Sequence, residues 1–83
     1  MTRRNKLIDR ILRGNSDADV AFDDLCTLLT YFGFTLRVRG SHHLFSKSGI
    51  IEKINLQRDG AKAKPYQVRQ VRDIIVKYRL GGE

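Results

Sequence analysis

The feature that most constrains this chain lies between Gly33 and Ser46, where the spacing of apolar residues changes. Up to Phe32 they recur at helical intervals. From Phe34 they alternate, with Phe34, Leu36 and Val38 on one side and Thr35, Arg37 and Arg39 on the other, as in a strand buried on one face only. The run stops at Gly40-Ser41, and a second alternating run, His42 to Ser46, begins at once. Glycine in the first central position suits a two-residue type II′ turn, whose twist matches the strands it joins. Counting outward from that turn sets Arg39 opposite His42, Val38 opposite His43, Arg37 opposite Leu44 and Leu36 opposite Phe45. The two histidines, neighbours in sequence, therefore fall on different faces. His43 goes with Val38, Leu36 and Phe45, and His42 with Arg37 and Arg39.

The remainder supplies the covering layer. In "NKLIDRILRG", Leu7, Ile8, Ile11 and Leu12 predict a short amphipathic helix closed by Gly14. "NSDADV", residues 15–20, is a polar connector. "AFDDLCTLLTYFG" predicts a second helix with Phe22, Leu25, Leu29 and Phe32 as its stripe and Asp23 and Asp24 in the first turn, where the helix dipole favours anions. Its weak point is Ala21, which offers no side-chain acceptor as an N-cap. After the hairpin, "KSG" makes a tight connection to a third strand, Ile50 to Leu56. Residues 57–64, "QRDGAKAK", read as a basic loop. Pro65 suits the first turn of a last helix, with Val68, Val71, Ile74, Ile75 and Tyr78 inward and Gly81 as its stop. The expected fold is α+β in the order α-α-β-β-β-α, a three-stranded antiparallel meander with helices on one face and solvent on the other.

Eighty-three residues make one domain with a single core, so any site is shallow and close to the surface. Lys and Arg number 16 against 9 Asp and Glu, a formal charge of +7 that favours nucleic acid or an acidic protein as partner. Cys26 is alone, so there is no disulfide framework or thiolate metal cluster. The N-terminal stretch lacks the apolar segment of a signal peptide, and no run approaches the roughly 18 apolar residues of a membrane span, which points to the cytosol.

Several chemistries are absent from the pattern. There is no acid/base carboxylate pair, no Ser-His-Asp set and no Gly-rich loop leading from strand to helix. Adjacent histidines on a strand diverge and share a metal poorly, so neither metal nor cofactor is expected. What remains is an imidazole, able to take and give a proton near neutral pH, among fixed positive charges. His42 suits a general base or acid, and Arg37 and Arg39 suit a phosphate and its growing negative charge. RNA brings its own nucleophile, the 2′-hydroxyl. Lys62 and Lys64 would add weaker backbone contacts, while His43 packs at the rim of the core and stands second. The group that protonates the leaving oxygen stays open among His43, a lysine and water. A different reading of the same residues is a non-catalytic nucleic-acid-binding module using the basic face.

"GSHHLF" on a hairpin, after an apolar helix ending in "FGF" and before a third strand and a last helix, resembles the HicA family of toxins in type II toxin–antitoxin systems. The resemblance spans residues 20–80, with residues 1–14 as an added helix. It implies a fold like a double-stranded-RNA-binding domain and a ribosome-independent mRNA interferase activity. It also implies an mRNA substrate and a HicB-like antitoxin covering the site; a cytoplasmic, monomeric free toxin is the expectation, although the sequence itself does not fix the oligomeric state. By the same resemblance the first histidine of the pair, His42, is catalytic, and the turn residues Gly40 and Ser41 support it. The segment after the third strand, "NLQRDGAKAKPYQ", departs from the family's pattern.

Overall fold

Helix formation begins with a side-chain cap. The Thr2 hydroxyl accepts from the Asn5 backbone N–H at 3.1 Å, and the chain turns helical over Arg3–Arg13 (α1) until Gly14 takes a left-handed conformation, φ 75°. The computed structural model describes residues 2–80. After a short 3-10 turn, Asp17–Asp19, come α2 (Phe22–Tyr31), β1 (Thr35–Arg39), β2 (His42–Lys47) and β3 (Ile50–Leu56). A small ribbon of β4 (Arg58–Asp59) and β5 (Lys62–Ala63) then leads into α3 (Pro65–Tyr78). The architecture is the expected α+β order, with a three-stranded antiparallel sheet arranged β1-β2-β3. Gly81, the expected stop of the last helix, lies outside the described residues. Arg79 ends that helix instead, in the left-handed region at φ 55°, with its N–H on the Ile75 carbonyl.

The first hairpin has the counted register throughout, from Arg39 opposite His42 to Leu36 opposite Phe45. Gly40 carries φ 57° and Ser41 has no positive φ, the signature of a type II′ turn. Phe45, Ile54 and Leu56 point inward and are buried against Leu25, Leu28, Leu29, Val68, Val71 and Ile75 from the helices. The stripes differ in detail from the sequence-based ones. Leu28 rather than Phe32 completes the buried face of α2, because the helix ends at Tyr31 and Phe32 is only half-buried. On α1 the buried pair is Ile8 and Ile11, while Leu12 is left exposed.

Residues 57–64 are more than a loop. The ribbon lays β5 beside the start of α2: the Ala63 N–H donates to the Val20 carbonyl at 2.8 Å, and the Phe22 N–H donates to the Ala61 carbonyl at 3.0 Å. This answers the missing cap at Ala21, since a free amide of the first turn is satisfied by backbone from another element. Lys62 of the ribbon pairs with Asp19 and draws that carboxyl below its usual range.

The two edges of the sheet are treated differently. Along β3, side chains of α3 satisfy the outward backbone groups. Gln67 donates to the Asn55 carbonyl at 3.1 Å and accepts from the Gln57 N–H at 3.3 Å. Gln70 reaches the Lys53 carbonyl, and the Tyr78 hydroxyl accepts from the Ile51 N–H, each at 3.5 Å. The helix stands in for a fourth strand. Two extra residues on β3 bulge between the Phe45 and Lys47 pairings. Glu52 anchors the bulge, accepting from Tyr78 at 2.7 Å and Lys77 at 2.8 Å. No helix among the described residues is long and apolar enough to cross a membrane.

Two further ties generate predictions. Arg72 on α3 forms a bidentate pair with Asp17 at 2.8 and 3.1 Å and donates to the Ile11 carbonyl at 3.1 Å, binding α3 to the 3-10 turn and the end of α1. Both side chains are mostly buried, so Arg72→Met is expected to lower the unfolding free energy by about 2 kcal/mol in chemical denaturation, leaving a carboxylate without its partner. Glu52 is held at about 2, against 4.5 normally, by the hydrogen bonds from Lys77 and Tyr78. Its folded value lies below its unfolded one, so its contribution is present above pH 4.5 and is lost as pH falls toward 2. Glu52→Gln should remove that part of the acid destabilisation, measured as urea midpoints across this range.

Candidate active site on the open sheet face

The parity of the hairpin decides what faces solvent. Outward positions are Thr35, Arg37 and Arg39 on β1, His42, Leu44 and Ser46 on β2, and Ile51, Lys53 and Asn55 on β3. The charged residues among them, Arg37, Arg39 and Lys53, are all cations. None of the three has an ion-pair partner among the described residues. By contrast, Asp17, Asp19, Asp23, Asp24 and Glu52 are each paired with a cation elsewhere in the molecule. Positive charge on this face is therefore left unneutralised by the fold.

His42 sits on the middle strand of that face, at the end next to the turn. Arg39 stands directly opposite, where Cβ atoms are typically about 5 Å apart, and Arg37 lies on the diagonal. On the other flank Asn55 of β3 meets the ring, with Oδ1 3.1 Å from Nδ1. An amide oxygen only accepts, so this contact calls for the proton on Nδ1, and in the neutral ring the lone pair is then on Nε2. Nε2 has no hydrogen bond within the described residues and is not a buried atom. The turn is tied to the same strand end, as the Gln57 amide donates to the Ser41 hydroxyl at 3.5 Å. Gly40 is needed for its backbone alone: a Cβ there meets nothing within 4 Å, but φ 57° strains any other L-residue.

His43 points the other way. Its ring meets Phe22 edge-on at 4.9 Å and 84°, and its Nδ1 is buried without a hydrogen-bond partner. The Arg58 guanidinium covers the same Phe22 ring at 4.5 Å and bonds to Asp23 at 2.6 Å. The sheet thus separates the two imidazoles. It also separates the cations expected to act together: Arg37 and Arg39 flank His42, whereas Lys62 is occupied by Asp19, and Lys64 is the half-buried residue that precedes α3. Among the described residues no group of three or more His, Cys, Asp or Glu side chains gathers to hold a metal ion. Cys26 is half-buried, and burial pushes its thiol up to about 11, which makes it a poor nucleophile at neutral pH.

Asn55, Gln67 and Lys53 are site residues that the sequence reading passed over. Asn55 had a signal: counting from Ser48-Gly49 as a two-residue turn sets it directly opposite His42. The bulge moves it two residues along, opposite Leu44, and an even shift leaves its face unchanged. Gln67 is a polar residue on the inward side of the last helix, and it is only 1% exposed. Its amide fixes the backbone that follows the Asn55 side chain holding His42, at the Asn55 carbonyl and the Gln57 N–H.

No family model matches the chain, and no curated protein or solved structure matches it either. The reading of this face rests on its own geometry and on the short Gly-Ser-His-His signature.

The buried Gln67 amide generates a prediction. Gln67→Leu keeps the volume but leaves the Gln57 N–H and the Asn55 carbonyl unpaired, so it should cost about 2 kcal/mol in denaturant unfolding. In hydrogen exchange the Gln57 amide should lose its protection while amides within the β1–β2 hairpin keep theirs.

Proposed function

We propose that this protein is a metal-independent endoribonuclease of the HicA-like toxin type, which cuts mRNA and is neutralised by a HicB-like antitoxin. The observation that carries the reading is the orientation of His42, with Nδ1 on Asn55, Nε2 free of hydrogen bonds within the described residues, and the unpaired Arg37 and Arg39 on the neighbouring strand. In the proposed reaction Nε2 takes the proton of a ribose 2′-hydroxyl. The 2′-oxygen attacks the adjacent phosphorus and the bond to the 5′-oxygen breaks, giving a 2′,3′-cyclic phosphate and a 5′-hydroxyl end. Arg39 and Arg37 hold the phosphate and offset the charge that grows on it, and Lys53 extends the cationic track. With His43 packed on Phe22, the leaving oxygen takes its proton from water. Attack in line requires a flexible nucleotide, which favours single-stranded mRNA over an A-form duplex.

The same cations also support a simpler reading, an RNA-binding module without catalysis, and one set of measurements separates the two. The wild type is expected to fragment RNA and arrest growth on induction, and a 2′-deoxy nucleotide at the scissile position should block cleavage. His42→Ala should lower the cleavage rate by about 10²–10⁴-fold while the fold and RNA affinity persist. His43→Phe, which replaces a buried unpartnered nitrogen with an apolar ring, should keep activity. RNA binding that weakens with salt, with no cleavage by any preparation, would establish the binding module.

A further inference from the structure

We infer that the free edge of β1 is a docking site for an extended segment of a partner protein in which apolar and acidic side chains alternate. Three observations converge on it. First, this is the edge that the fold leaves open. On β3 the outward backbone groups of Ile51, Lys53, Asn55 and Gln57 are met by Tyr78, Gln70 and Gln67, whereas no backbone or side-chain hydrogen bond among the described residues reaches the outer edge of β1. Arg39 and His42 flank a two-residue turn and exchange both ladder bonds, so by alternation Leu36 and Val38 direct their N–H and C=O groups away from β2.

Second, the inward face of this strand is uncovered. Leu36 and Val38 lie opposite Phe45 and His43, on the side of the sheet that the helices cover, yet they are 41% and 56% exposed. An incoming strand would gain backbone bonds at the same two residues whose side chains need burial. Third, the outward face beside that edge carries Arg37 and Arg39 without ion-pair partners among the described residues.

Charge decides the occupant. A second copy pairing through β1 would set arginines against arginines, and like charges across a strand pair are destabilising. The arginines thus keep the open edge from pairing with itself, the usual hazard of an uncapped edge. RNA would use the guanidinium groups but leave the Leu36 and Val38 side chains and amides bare. A strand with acidic residues on its outer face and aliphatic ones on its inner face satisfies all three features at once, by strand addition to the sheet. Its carboxylates would occupy Arg37 and Arg39 and shut phosphate out of the site. That inhibitory consequence rests on the function proposed above, while the docking itself does not.

The test is a titration of the isotope-labelled full chain, without RNA, with a synthetic peptide of alternating valine and glutamate. The expected result is that the amides of Leu36 and Val38 shift and become protected from exchange, while those of Ile51 and Gln57 stay unchanged. Val38→Pro removes an outward N–H but no ladder bond to β2, and should weaken binding by about tenfold. Because a proline can loosen the strand in its own right, a second variant, R37E/R39E, changes solvent-facing side chains only and should transfer binding to a valine–lysine peptide. Shifts that map to the helices, binding unaltered by both variants, or a dimer of the free protein that pairs through β1 would each overturn the proposal. Loss of cleavage in His42→Ala has no bearing on these readings, so the two proposals fail separately.

Discussion

The arrangement depends on one conformational constraint, the two-residue turn at Gly40-Ser41. Because strand side chains alternate, the length of that turn fixes which residues of β1 share a face with each of two adjacent histidines, and so leaves a choice of which one faces solvent. The turn alone does not set the choice, and the core completes it. A slip by one residue would turn Phe45 out and bring His42 and Leu44 in, and aromatic burial of this kind is worth about 2–3 kcal/mol per side chain. Phe45 is 1% exposed and its partner Ile54 is fully buried, so the core holds the hairpin to a single face. The outward position of His42 is thus a consequence of packing at the neighbouring inward positions.

A second principle is the use of side-chain amides as backbone substitutes. Gln67, with Gln70 and Tyr78, lets α3 close the β3 edge without a fourth strand, and at the same place it steadies the residue that orients His42. The Asn55 backbone is bonded to Gln67 while its side chain is bonded to His42, so core, edge and site form one continuous set of contacts. The bulge on β3 belongs to this set, since Glu52 and Tyr78 hold it against α3. Carboxylates are drawn to the helical side and the ribbon, where cations meet them, and the outer sheet face is left positive.

The helix order, the meander, the first register and the inward residues of the hairpin were legible in the sequence because each follows from local periodicity and turn chemistry. The ribbon in residues 57–64 was not. Its strands are two residues each and are held by backbone bonds to Val20 and Phe22, which the rest of α2 and the three-stranded sheet separate from them in sequence. Gln67 was hidden for a related reason: a polar residue beside an apolar stripe looks solvent-facing until its backbone partners are known. The expectation that Lys62 adds a backbone contact to RNA did not anticipate Asp19, which the same chain reversal brings to it. What sequence alone could not supply was long-range pairing of polar groups. What it did supply was the parity of the hairpin, on which the site depends.

The central claim is that Asn55 holds His42 with its proton on Nδ1 and its lone pair on Nε2, on the outward side of the middle strand of a cationic sheet face. Long-range proton–nitrogen correlation spectra of the imidazoles test this most directly, above the pH at which the ring is neutral. The account predicts that His42 shows a protonated Nδ1 and an unprotonated Nε2, and that Asn55→Ala returns it to the tautomer mixture of a free imidazole. A His42 ring protonated on Nε2, or one indifferent to the loss of Asn55, would contradict it.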